Sequence, residues 1–190
     1  MLTEKVKELI KKSRIVSFTT WQTKYSAQVI SIFQQADDEE RYLSGQDLQQ
    51  LNNLIPELAE SLTQAKLIRD HASDLVSKAR GEVLAAYPDI TEPGGGLYPP
   101  MRAEACWRDF WHFLRCISYA VAGASANYLS EPGLGYMEQL YQELKVPLDA
   151  MVLGLEQLKF YSLQEFPAEK RPDIEIYFNK LITQLRQFSH

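Results

Sequence analysis

Residues 101–115 read MRAEACWRDFWHFLR, and their spacing decides the fold class. Residues three, four and seven apart share one side of a helix, which places Arg102, Cys106, Asp109 and Phe113 on a single face. Trp107, Phe110, Trp111 and Leu114 make the adjoining stripe, bulky and apolar enough to be the packing face. Arg108 falls on the remaining arc, from which its long side chain would have to reach around the helix to meet anything held at Cys106. A face carrying a thiol, a carboxylate and a guanidinium suits neither a core nor plain solvent. This helix is therefore expected to combine packing with chemistry.

The same periodicity extends along the chain, and no alternating strand pattern or Asn-Gly hairpin interrupts it. Helices are predicted at 3–12, 22–35, after a Ser44 cap with Asp47 three residues on, 64–87, 101–127, 132–145, 147–162 and 169–188. Pro56 is expected to bend the third, and Pro132 and Pro147 to occupy first turns. The segment PDITEPGGGLYPP, residues 88–100, cannot continue a helix. Its glycines read equally as a plain turn or as a place where backbone approaches a flat ligand. The natural packing of such a series is an all-α bundle of seven or eight helices with globin-like complexity.

Length and composition bound the rest. A chain of 190 residues with 45% hydrophobic residues and a formal charge of −5 forms one well-cored domain and lacks the clustered cations that nucleic acid requires. The start, EKVKELIKKSR, alternates lysines with Glu4 and Glu8 while Leu2, Val6, Leu9 and Ile10 keep helical spacing, so it reads as a short solvated amphipathic helix rather than a membrane anchor. No apolar run is long enough to span a bilayer or to form a signal peptide, and a soluble, cytoplasmic protein with no integral membrane segment is expected.

Cys106 and Cys116 are separated by about 15 Å of helical rise, too far for a disulfide. No Cys/His spacing suits zinc. A thiol enzyme would need a partnered histidine, but His112 points away from Cys106, His71 is distant in sequence and His190 is terminal. No enzyme is expected. By spacing alone Cys106 reads as a small core residue or as the anchor of a large apolar ligand, and Asp109 with Arg102 or Arg108 reads as a surface ion pair or as part of that ligand's clamp.

Five blocks in order, RYLSGQDLQQL (41–51), PGGGLY (93–98), MRAEACWRDFWHFLR (101–115), SYAVAG (118–123) and YQELKVPLDAMVLGLEQLK (141–159), resemble the signature segments of phycobiliproteins, most nearly the allophycocyanin-type subunits. The resemblance covers residues 28–188. It implies a globin-like domain with an N-terminal helical pair used for subunit pairing, and a phycocyanobilin-type linear tetrapyrrole joined by thioether to Cys106. Carried over by position, Asp109 would accept hydrogen bonds from the inner pyrrole nitrogens, while Arg108 and Arg102 would pair with propionates. Tyr119 matches a family tyrosine, and Phe113 replaces an aromatic of a usual Tyr-Tyr pair. Implied partners are other phycobiliprotein subunits or a second copy, and a bilin lyase; the implied location is the cytoplasmic, stromal-side face of thylakoid membranes within an antenna complex.

Several positions depart from the family pattern. Gly96 stands where the β-type subunits carry Asn, Gly123, Ala124 and Ser125 stand where AGD is common, and Trp107, Trp111 and His112 add bulk and polarity. Residues 1–27 have no counterpart in ordinary subunits, which divides the chain into an N-terminal helical extension, 1–27, and a globin-like domain, 28–190. Three functions fit this reading: a bilin-carrying light-harvesting subunit of a phycobilisome core or antenna; a divergent relative acting in phycobilisome assembly, degradation or regulation, with or without bilin; and, by fold analogy alone, a haem or fatty-acid globin sensor with His112 or His71 as ligand.

Overall fold

Four of the eight helix starts follow from short polar side chains that satisfy the first free backbone N–H groups. In a computed structural model describing residues 2–189, Thr3 caps α1 (Glu4–Lys12), Ser26 caps α2 (Ala27–Asp38) and Ser130 caps α6 (Glu131–Leu144). Ser44 and Asp47 form the reciprocal box expected at the head of α3 (Gly45–Leu54). The remaining helices are α4 (Ala59–Ala86), α5 (Pro100–Ala122), α7 (Leu148–Gln164) and α8 (Arg171–Arg186). Eight α-helices and no strand, apart from one isolated bridge between Val16 and Leu129, make the described residues all-α. Met1 and His190 lie outside them.

Helix boundaries depart from the periodicity where tertiary contacts intervene. Pro56 breaks the third helix instead of bending it: Ile55 turns extended, a 3-10 turn spans Pro56–Leu58, and α4 starts at Ala59. Pro147 sits at the N-cap of α7, just outside the first turn. The helix expected from residue 22 begins only at Ala27, because Thr19–Thr23 coil into a 3-10 turn that buries Trp21. Its indole N–H donates to the Asn127 carbonyl at 2.7 Å. The ring lies against Gly123, where a Cβ would stand 2.3 Å from it. That close approach coincides with the end of α5 at Ala122, short of the expected 127.

α4, α5, α7 and α8 pack around the core, with Ile68, Leu75, Phe110, Ile117, Leu155 and Phe178 fully buried. α1 does not lie free in solvent as its sequence suggests. Val6 and Leu9 are buried and α1 packs against α6, which leaves only Leu2 and Ile10 of the expected apolar set exposed, at 51% and 48%. The following segment runs beside residues 128–133: Ser17 N–H donates to Tyr128, Ser130 N–H donates to Ile15, and the Arg14 carbonyl fills the space beside Gly133. A Cβ there would lie 1.7 Å from that oxygen.

One buried ion cluster joins these parts. Arg115 of α5 donates to Asp37 at 2.9 Å and to the Tyr119 hydroxyl at 2.8 Å, while Arg14 binds the other oxygen of Asp37 at 2.5 Å. Asp37 and Arg115 side chains are 4% and 6% exposed, so removing the acid strands a buried cation. Asp37→Ala is expected to lower stability by about 3–5 kcal/mol in denaturant unfolding.

Candidate functional site

The N-terminal half of α5 places Arg102, Cys106 and Asp109 on one face, and the last turn of α6 lies over that face. One turn before the cysteine, Arg102 Nη2 donates to the carbonyls of Leu144 and Lys145 at 2.5 and 3.0 Å. One turn after it, Asp109 Oδ2 accepts from the Tyr141 hydroxyl at 2.9 Å. Lys145 adopts the left-handed conformation that ends α6, which turns those carbonyls outward as acceptors. Cys106 is thus bracketed by two tethers to the same helix end, and is 4% exposed.

The electrostatics follow from this closure. Burial pushes the Cys106 thiol up to about 12; the Asp109 charge adds to the rise and Arg102 opposes it. Burial also pushes the Asp109 carboxyl up to about 6, against the hydrogen bond from Tyr141 and the charge of Arg108. Asp109 has no ion-pair partner among the described residues. Arg108 is exposed and makes no side-chain hydrogen bond or ion pair there.

The other residues expected at the site fall differently. Phe113 is buried in the core beyond Asp109, at 3% exposure. Tyr119 lies about 20 Å of helical rise from Cys106, and its hydroxyl accepts from Arg115 while donating to the Arg41 carbonyl. It belongs to the ion cluster. In the loop before α5, Gly95 is required by the loop itself, since a Cβ there would meet the Asp89 and Ile90 carbonyl oxygens at 2.3 Å. Gly96 faces the ring of Pro147.

Two contributors escaped the sequence reading. Tyr141 opens the segment 141–159 that resembles the family, yet nothing in its helical spacing marks it as the partner of a carboxylate 32 residues earlier. Arg80 of α4 lies over the Trp107 ring at 5.4 Å, and the buried Trp107 Nε1 has no hydrogen-bond partner among the described residues. No group of three or more potential metal ligands occurs among the described residues, and none of their helices is long and apolar enough to cross a membrane.

Comparison with known proteins bears on what this face holds. The phycobilisome protein family matches residues 31–185. The chain is 30% identical over 154 residues to the allophycocyanin alpha-B chain of Cyanidium caldarium, and 28% identical over 151 residues to the allophycocyanin alpha chain 2 of Microchaete diplosiphon. Both alignments cover 80% of this chain and 94% of the relative. The C-phycocyanin beta chain of Aglaothamnion neglectum is 31% identical over 129 residues, 68% of this chain and 75% of its own. The chain belongs to the phycobilisome protein family as a divergent, allophycocyanin-like member with the globin-like helical fold of phycobiliproteins.

Proposed function

We propose that this chain is a light-harvesting subunit of phycobilisome type, carrying a linear tetrapyrrole by thioether at Cys106. The observation that carries the reading is the Asp109 carboxyl, held in place by Tyr141, desolvated and without a cation. Bound there, the pigment would supply a cationic row of N–H donors and two anionic propionates. Asp109 accepts from the former, and Tyr141 fixes which way its oxygens face. Arg108, exposed and uncommitted, suits a propionate; Arg102 suits one only after releasing the α6 carbonyls. The orphaned Trp107 N–H lies on the adjoining packing stripe, where Arg80 of α4 stands over the ring.

A thiol held near 12 is protonated at neutral pH and a poor nucleophile. Attachment at this cysteine therefore favours assistance from a lyase that lowers the barrier or opens the site. The assembly partners of this reading are other phycobiliprotein subunits or a second copy, at the thylakoid surface within an antenna. One observation favours the second reading, a role in phycobilisome assembly, degradation or regulation: residues 1–30 precede the family match, and within them α1 packs on the chain's own α6. Co-purification of pigment-loaded chain with intact antenna complexes supports the light-harvesting role, and its absence favours the other.

Cys106→Ala made beside a bilin-synthesis pathway and a lyase is expected to carry no pigment through acid urea, whereas Cys116→Ala retains it. Pigment that survives denaturation on the Cys106 variant overturns the assignment. Asp109→Asn is expected to keep the thioether and to shift or broaden the long-wavelength band.

The acid also leaves a signature without pigment. Its folded-state pKa of about 6 exceeds the ordinary 3.8, so the folded chain binds that proton more tightly than the unfolded chain. Its contribution is neutral below about pH 4, and stability is lost as pH rises to 6, reaching a cost of about 3 kcal/mol at pH 7. Denaturant unfolding of the pigment-free Asp109→Asn variant is expected to show a flatter profile between pH 4 and 6 and higher stability at pH 7.

A further inference from the structure

The end of α6 is tied to α5 on either side of Cys106, so whatever positions α6 bears on that thiol. α6 lies along α1 on one side, while on the other its Leu134, Met137 and Tyr141 are buried in the main core and Tyr141 meets the Phe188 ring. Val6 and Leu9 of α1 are buried there, and Lys5 pairs with Glu143 one residue before the Arg102-bound Leu144 carbonyl. At the other end of α6, the Ser130 N–H donates to Ile15 and the Arg14 carbonyl lies against Gly133. One side of the helix that flanks the site is therefore braced by a segment that precedes the family match, which begins at residue 31.

We propose that the N-terminal extension is a positioning element of the Cys106 site: α1, through Val6 and Leu9, holds the last turn of α6 closed over the thiol, and its release opens the face between Arg102 and Asp109. The functional meaning of that opening rests on Cys106 being the pigment anchor, but the motion itself does not. A flat tetrapyrrole cannot reach a sulfur that is 4% exposed while both tethers stand. Undocking α1, whose Val6 and Leu9 stand outside the core cluster around Ile68, Leu75 and Phe110, frees one side of α6.

The chain contains its own control for this local opening. Cys116 lies on the same helix, is 3% exposed, and has a thiol that burial likewise pushes up to about 12. It sits in the core beside Arg115 and Asp37 and outside the pair of contacts that α6 makes with Arg102 and Asp109, so wider unfolding is needed to expose it. The experiment measures maleimide labelling of the pigment-free full-length chain, with Cys106 as the sole thiol in a Cys116→Ala background and Cys116 as the sole thiol in a Cys106→Ala background.

Leu9→Ala is expected to speed labelling of Cys106 about thirtyfold, equivalent to about 2 kcal/mol of lost docking free energy, while labelling of Cys116 stays within about twofold. Leu9→Met is expected to restore the slow rate. A Cys106 rate that Leu9→Ala leaves unchanged, or a Cys116 rate that rises in parallel with it, overturns the proposal. Should Leu9→Ala fail to fold, Val6→Ala supports the same comparison, with the same two outcomes deciding. Labelling that responds to Leu9 in a chain that never takes up pigment refutes the pigment reading alone; a pigmented chain whose Cys106 labelling ignores Leu9 refutes the brace alone.

Discussion

A single carboxylate, Asp37, shared by Arg115 of α5 and Arg14 of the extension, ties together the three parts of this chain. Burying two charges is costly unless each polar atom finds a partner. Here Arg115 also reaches Tyr119 and the His112 ring nitrogen, and the Tyr119 hydroxyl donates a hydrogen bond to the Arg41 carbonyl at the turn between α2 and α3. Burial and the neighbouring Arg115 push the His112 pKa down, which keeps its ring nitrogen an acceptor. The result fixes the direction of the α2–α3 pair against α5 in a way apolar contacts alone, being non-directional, would not.

That arrangement divides α5 into two regions with different requirements. Toward its C-terminus, from Phe113 to Ala122, every residue is buried and polar groups are satisfied within the cluster. Toward its N-terminus the same helix exposes Arg108 and holds Asp109 desolvated with only a neutral hydroxyl for a partner. An acid left short of a countercharge is unfavourable in the free chain. Such a position is tolerated where something else supplies the charge, and strained electrostatics of this kind concentrate at sites of function.

Local features of the sequence were legible because they are decided locally. Ser44 and Asp47 satisfy each other across one turn, and the stripe of Trp107, Phe110 and Leu114 packs as its spacing requires. The thiol, acid and guanidinium of Cys106, Asp109 and Arg102 share one face for the same reason. What spacing could not show was a partner distant in sequence. Tyr141 meets Asp109 across 32 residues, and Trp21 meets Asn127 across 106. Tyr119 was misleading in the opposite sense: it lies on the site's helix, but more than four times the separation of Cys106 from Asp109 carries it into a different environment. Arg102 shows a further limit, since a guanidinium suited to an anion also suits the free carbonyls of a helix end.

The extension is part of the fold and not an appended tail, and the matched region bears its imprint. Gly133 and Gly123 lie within residues 31–185, yet the space a side chain would need at each is filled by Arg14 and Trp21, which precede it. A chain with larger residues at those two positions could not seat this segment without shifting α6 or the corner before it. Once seated, the segment braces one side of α6, and α6 in turn supplies both contacts that flank Cys106. The N-terminal helix and the face that holds the thiol are thus joined through a single helix, α6.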